Sequence, residues 1–296
     1  MAVSGGAFAH SPRAAAQAAP ESSRPTTYYV GHGGAIVGLG GVALLTHALL
    51  RPDQGGDFSW FPGDVSVRGN RALSAARVSD ALVATTLIAP VAENLALGAD
   101  VRLANAGIVY GEALALNLAL NSLTKVVVSR RRPYTYWAGA AASSWSQNRA
   151  DWYVSFYSGH SSTTFTAAFA GSYLFGEASS DPALRSLVWG SELMLAALTA
   201  NLRVRAGRHY YSDIFTGALV GTAVGLGVPL LHGGKYRPGA PEVLSASAGV
   251  IAGTALGMLL PFTHDEVSQS SWGRLLYGMA PMFSPGAAGI QLRGTY

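Results

Sequence analysis

The chain has no cysteine, which excludes disulfide frameworks, cysteine-ligated zinc, iron–sulfur clusters and cysteine nucleophiles. It is also poor in charge. Asp, Glu, Lys and Arg make up 12% of its 296 residues, about half the usual share of a soluble domain. Hydrophobic residues reach 49%, the opposite of what a disordered chain requires. A net charge of +4 without a basic-aromatic stripe gives no reason to expect nucleic acid as a partner. No HExxH and no carboxylate cluster of two-metal type is present. Ala7-Phe8-Ala9 resembles a cleavage triplet, but no basic region and no apolar run precede it, so residues 1–27 read as a flexible tail. No internal repeat is found.

Charges are also unevenly placed. Residues 25–50, 152–176, 214–234 and 243–264 contain none. Their cores, Gly33–Leu50, Ser161–Gly176, Ile214–Leu231 and Val243–Phe262, approach or meet the roughly 20 apolar residues that span a bilayer as a helix. Three further stretches are each broken by one acid: Ala81–Leu97 by Glu93, Leu103–Val128 by Glu112, and Leu187–Leu202 by Glu192. Apolar residues run all round each segment, as in helices buried in a membrane or in a large core. The expected fold is an all-α polytopic membrane bundle of six core helices over 28–232, with a seventh candidate at Val243–Phe262. A soluble all-α protein with an Ala-rich interior is the competing reading. The three glutamates are expected to make buried structural hydrogen bonds. Gly249, Gly253 and Gly257 repeat at the spacing of close helix–helix contact. Gly55–Val65 and Ala138–Tyr153 read as loops, the first with Phe58, Trp60 and Phe61 suited to an interface. Within the C-terminal extension 233–296, the partial alternation of Ala287–Tyr296 is a weak strand signal.

Basic residues gather in three places. Lys125 to Pro133 closes the third segment, Phe156 to Ser162 opens the fourth, and Asn201 to Asp213 joins the fifth to the sixth. Alternating spans bring all three to one membrane face. Alone, each has an ordinary explanation: an interfacial anchor, a helix cap, a local His–Asp pair. Together they assemble Arg, Lys and His as a phosphate site does, because the guanidinium fork matches phosphate oxygens. Lys125-x6-Arg132-Pro133, Ser158-Gly159-His160 and Arg203-x5-His209-x3-Asp213 resemble the three-part signature of the type 2 phosphatidic acid phosphatase and vanadium haloperoxidase superfamily. Two positions differ: Tyr157 stands where the family usually has Pro, and Leu202 where it usually has Ser.

The resemblance implies a metal-independent phosphatase without cofactor, acting on a lipid phosphate or diphosphate. His209 is the implied nucleophile, forming a phosphohistidine, with Asp213 orienting it. His160 is the implied acid for the leaving group and the later base for water. Lys125, Arg132 and Arg203 are the expected clamp, and Ser158 and Gly159 the expected backbone donors at a helix start, where an anion is favoured. Arg130, Arg131, Arg205 and Arg208 read as interface anchors or as a second phosphate site. The expected partners are phospholipid or polyprenyl phosphate and the membrane itself, with an extracytoplasmic site on an inner or cytoplasmic membrane. A soluble acid phosphatase with the same site, a haloperoxidase and a silent lipid-binding protein are the rivals. Which lipid, the absolute orientation and the oligomeric state are left open.

Overall fold

The computed structural model describes residues 24–49, 52, 54–98, 101–136 and 149–262. Its α-helices are α1 (Thr26–Leu49), α2 (Leu73–Ala96), α3 (Val101–Val128), α4 (Gly159–Ala178), α5 (Pro182–Arg205), α6 (Tyr211–Leu231) and α7 (Ala240–Leu259). Each apolar segment read from the charge gaps falls on one of these helices, in order. Thr26 starts α1 just inside the stretch read as tail; residues 1–23 of that tail, most of the Ala138–Tyr153 loop and the Ala287–Tyr296 strand signal lie outside the described residues. No strand occurs among the described residues, where a lone bridge joins Gly56 to Arg130.

Local chemistry sets the helix ends. Asp181 caps α5 by accepting from Ala183 N and Leu184 N, with Pro182 at the first helical position. Ser158 caps α4 by accepting from Ser161 N at 3.3 Å. α3 stops at Ser129, whose φ of 45° is left-handed, so the chain leaves the helix before Pro133 is reached.

The helices alternate in direction, and one end of the bundle gathers the three motifs. There Ser158 N donates to the Asp213 carbonyl, Ala72 N to that of Arg205, and Gly56 N to that of Ser129. α4 packs against α2, α3, α5 and α6 and is buried along most of its length. That position explains its many Ser and Thr residues: they face protein, and Thr164 returns its hydroxyl to the His160 carbonyl at 2.9 Å.

α1, α2, α3, α6 and α7 are long and apolar enough to cross a membrane. α4 and α5 are more polar and more enclosed. Large apolar side chains face outward around the bundle, among them Val37 at 75% exposure and Leu231 at 87%. An apolar exterior of that extent fits lipid and disfavours the soluble reading.

Small residues set the spacing. A Cβ at Gly249 or Gly253 would lie 2.1 or 2.2 Å from the carbonyl oxygens of Gly190 and Met194 on α5. The expected close contact is therefore made by α7 on α5. α6 repeats the device with Gly217, Gly221 and Gly225, where added Cβ atoms would meet the α4 carbonyls of Ser158, Ser162 and Thr166 at 2.4–2.8 Å. This second stripe holds the start of α6 against the start of α4.

Of the three glutamates that interrupt apolar segments, Glu112 makes the expected hydrogen bonds, to His32 and His232. Glu93 and Glu192 do not: the Oε2 of each is buried without a partner.

Candidate active site

His209 lies between α5 and α6 with 1% of its surface exposed. Its Nδ1 is 2.7 Å from the Ser155 carbonyl, so Nδ1 carries the proton and Nε2 keeps the lone pair. Burial, reinforced by Arg132, Arg203 and Lys125, pushes the imidazole well below its usual range, leaving a neutral ring. A neutral ring with a fixed tautomer is what a nitrogen nucleophile requires.

Asp213 does not make the direct hydrogen bond expected of it. Its Oδ2 is 3.7 Å from His209 Nδ1. That oxygen instead accepts from Ser155 Oγ at 2.6 Å and from Tyr210 N at 2.9 Å. The carboxylate thus orients His209 through Ser155, a residue outside the three motifs. Its other oxygen takes Arg130 Nη1, and Arg130 Nη2 reaches Asp64 Oδ2 at 2.8 Å.

Arg130 is therefore neither anchor nor second phosphate site. It is fully buried, with its guanidinium carbon 3.9 Å from the centre of the Tyr210 ring. Asp64 continues the network to Ser212 N and Oγ at the start of α6. The other three extra arginines are also engaged internally. Arg131 bonds Thr135, Arg205 bonds the carbonyls of Met258 in the last turn of α7 and of Leu260 and Phe262 just beyond it, and Arg208 pairs with Asp151. Reading them as interface or diphosphate groups overlooked the carbonyls and acids that the fold brings from far along the chain.

Lys125, Arg132 and Arg203 come within electrostatic reach of one another. Arg132 Nη2 meets Asp151 Oδ1 at 3.0 Å, and Arg208 Nη1 meets the other oxygen at 2.7 Å. Burial works against the Asp151 charge, but the two guanidiniums outweigh it and hold the carboxyl below its usual range. The Nε atoms of Arg132 and Arg203 are buried without a protein acceptor, so donor capacity is left for phosphate oxygens. At the first helical position of α4, a Cβ on Gly159 would lie 2.7 Å from Asn121 Oδ1 and 3.3 Å from Lys125 Nζ. Glycine there brings the α4 N-terminus, with its free N–H groups, against the Lys125 ammonium. Gly207, at φ 66°, is needed for a different reason: its added Cβ would sit 1.7 Å from the Asn70 carbonyl.

His160 has a partner that sequence reasoning missed. Its Nε2 is 2.7 Å from Asp80 Oδ1 on α2, and the same oxygen accepts from Arg203 Nη1 at 2.9 Å. Arg203 Nη1 also reaches Ser79 Oγ at 3.1 Å. The Asp80 and His160 side chains are 44% and 31% exposed, against 2% for His209. The pocket is thus closed around His209 and open at His160.

A buried neutral imidazole, a group of cations and a second imidazole paired to a carboxylate thus gather at one end of the helical bundle, an arrangement with the charge and donors to hold a phosphate ester. The family model of the PAP2 superfamily matches residues 106–237. The matched stretch, from within α3 to just beyond α6, is similar to that superfamily, whose members are phosphatases acting on phosphate esters. No curated protein and no solved structure matches the chain significantly. Asp64 and Asp80 lie outside the matched stretch.

Proposed function

We propose that the protein is a membrane phosphatase that hydrolyses a lipid phosphate or diphosphate through a phosphohistidine on His209. The observation that carries this reading is the buried His209, its tautomer fixed by the Ser155 carbonyl and its ring held neutral by burial among the charges of Arg132, Arg203 and Lys125. Nε2 attacks phosphorus, a P–N bond forms and the ester P–O bond breaks. The departing oxygen takes a proton from His160. A water then attacks the phosphohistidine and gives its proton to His160. Phosphate leaves, and His209 is neutral again. The clamp cations and the α4 N-terminus offset the charge that builds on the equatorial oxygens. Asp213 offsets the positive charge on the phosphorylated ring.

A lipid substrate is supported by the location of the pocket, at the end of helices whose exterior is apolar. An extracytoplasmic site is the orientation we favour, on the family resemblance. The test is phosphate release by detergent-solubilised protein from phosphatidic acid, phosphatidylglycerophosphate, a polyprenyl diphosphate and lipid A phosphates. Quenched reactions are examined for acid-labile, base-stable radiolabel. Turnover on at least one lipid, with label and turnover both lost in His209→Ala, is expected. Label that persists in His209→Ala and is lost in His160→Ala would reverse the two roles.

A further inference from the structure

The end of the bundle opposite the active site carries a second group of ionisable side chains that phosphatase chemistry does not use. His32 comes from α1, Glu112 from α3, and His232 from the C-cap of α6. His32 Nδ1 lies 2.7 Å and His232 Nε2 2.9 Å from the same oxygen, Glu112 Oε2. The three ligand-type atoms all fall within 4.8 Å of one another. Behind them, Tyr28 Oη is 2.6 Å from His232 Nδ1.

We propose that His32, Glu112 and His232 form a zinc-type divalent-cation site that fastens α1 to α3 and α6. Two imidazoles and a carboxylate with an open fourth position is a zinc donor set. Tetrahedral ligands at about 2.0–2.1 Å from zinc stand roughly 3.3 Å apart, so the present contacts need to open by about half an ångström, within reach of small side-chain rotations. Tyr28 supplies the outer hydrogen bond that fixes a metal-binding histidine. As zinc binds, His232 yields its Nε2 proton and carries one on Nδ1, where Tyr28 turns from donor to acceptor.

Access and charge are both suitable. The side chains of His32 and Glu112 are 34% and 20% exposed. A polar pocket lined by Arg24, Tyr28, Arg102, Glu177 and His232 opens beside them. Glu112 and Glu177 counter the two arginines. The site also has something to hold: α1 buries only Ala43 and Thr46 among its residues and packs chiefly on α3.

The test uses tag-free, EDTA-stripped protein in detergent, dialysed against Zn2+ and analysed for bound metal, with Co2+ absorption as a second probe. About one retained equivalent is expected, together with a cobalt spectrum of a tetrahedral N/O site. The equivalent should be lost in Glu112→Gln and in His232→Ala, each checked for unchanged gel-filtration behaviour. Tyr28→Phe should weaken binding about tenfold, the lower end of outer-shell effects. Zn2+ should also raise the thermal midpoint of the parent protein and of His160→Ala/His209→Ala, but not of His32→Ala. Absence of a retained equivalent, its persistence in Glu112→Gln, or its loss in the double active-site variant would each overturn the assignment.

Discussion

Asp80→Asn gives the sharpest test of how the pocket works. The substitution removes a charge while keeping the size and one acceptor oxygen. In the parent, Asp80 Oδ1 accepts from both His160 Nε2 and Arg203 Nη1. Burial and the Arg203 charge push the His160 imidazole down to about 4, and the Asp80 carboxylate opposes that shift, so removing it makes the protonated form scarcer still. A hydrogen bond to a charged group is worth about 1.5–3 kcal/mol. With the Asp80 side chain 44% exposed, solvent screening reduces that to roughly 1–2 kcal/mol. The expected loss in kcat is therefore about 5–30-fold on a substrate with an alkyl leaving group, whose oxygen needs the proton. The loss should deepen as pH rises. KM should fall or hold, because a negative charge beside an anion pocket has been removed. With p-nitrophenyl phosphate, whose phenolate departs unaided, kcat should change little. Steady-state kinetics on both substrates decides the matter. A raised KM with unchanged kcat on both would make Asp80 a brace for Arg203 rather than a partner of the acid, and the reasoning would fail.

Arg130→Met should destabilise the protein by about 3–5 kcal/mol, because it leaves the buried Asp64 and Asp213 carboxylates uncompensated. Thermal unfolding in detergent measures this, and a neutral result would deny the network its structural role. Turnover should survive EDTA, and vanadate should inhibit by entering the phosphate pocket; EDTA-abolished activity restored by Mg2+ would contradict the metal-free clamp. The depressed His209 titration means that its nucleophilic form persists as pH falls through about 6.5. Once substrate ionisation is corrected for, kcat/KM on p-nitrophenyl phosphate should show no nucleophile limb there. Its stability contribution is present in full above the unfolded value and is lost progressively as pH falls from there toward the folded one. Single cysteines at the exposed Ser59 and Ser180, which lie at opposite ends of the bundle, should label from opposite sides of sealed vesicles. Labelling from one side only would refute the spanning arrangement.

The helices were legible because charge gaps of this length have few other readings, and the motif residues because their spacing is local. What escaped the sequence is non-local. Asp80 stands immediately before the apolar run Ala81–Leu97 and so read as its boundary, yet α2 begins at Leu73 and carries the acid inward to His160. An acid at the edge of an apolar run, at the membrane face that holds the motifs, was the available signal. Asp64 and Asp151 are lone acids in loop-forming sequence, and nothing local marks their arginine partners. Ser155 acts through both its carbonyl and its hydroxyl, and no residue preference records a carbonyl contact. The glycine stripe on α6 was readable by the same rule applied to α7, and it was passed over beside the charged motifs that precede it.

The two histidines are distinguished by what each is bonded to, and the difference runs against the spacing of the motifs. His209 and Asp213 are four residues apart, which suggests a carboxylate-supported nucleophile. The close acceptor of His209 is instead a carbonyl, with the carboxylate at 3.7 Å. A carbonyl fixes the tautomer without adding a negative charge, so the ring remains neutral beside Arg132, Arg203 and Lys125 and its lone pair stays available. In the proposed mechanism, positive charge appears on that ring only after the P–N bond forms. Asp213 is close enough to offset the charge then and too far to take the Nδ1 proton. As the proposed acid, His160 has the opposite requirement, since it would carry a proton before the ester bond breaks. It holds the direct carboxylate contact, at the exposed mouth of the pocket. Exchanging the partners would leave a charged ring at the bottom of a cationic pocket and a poorer proton donor at its entrance, and both effects slow the same step.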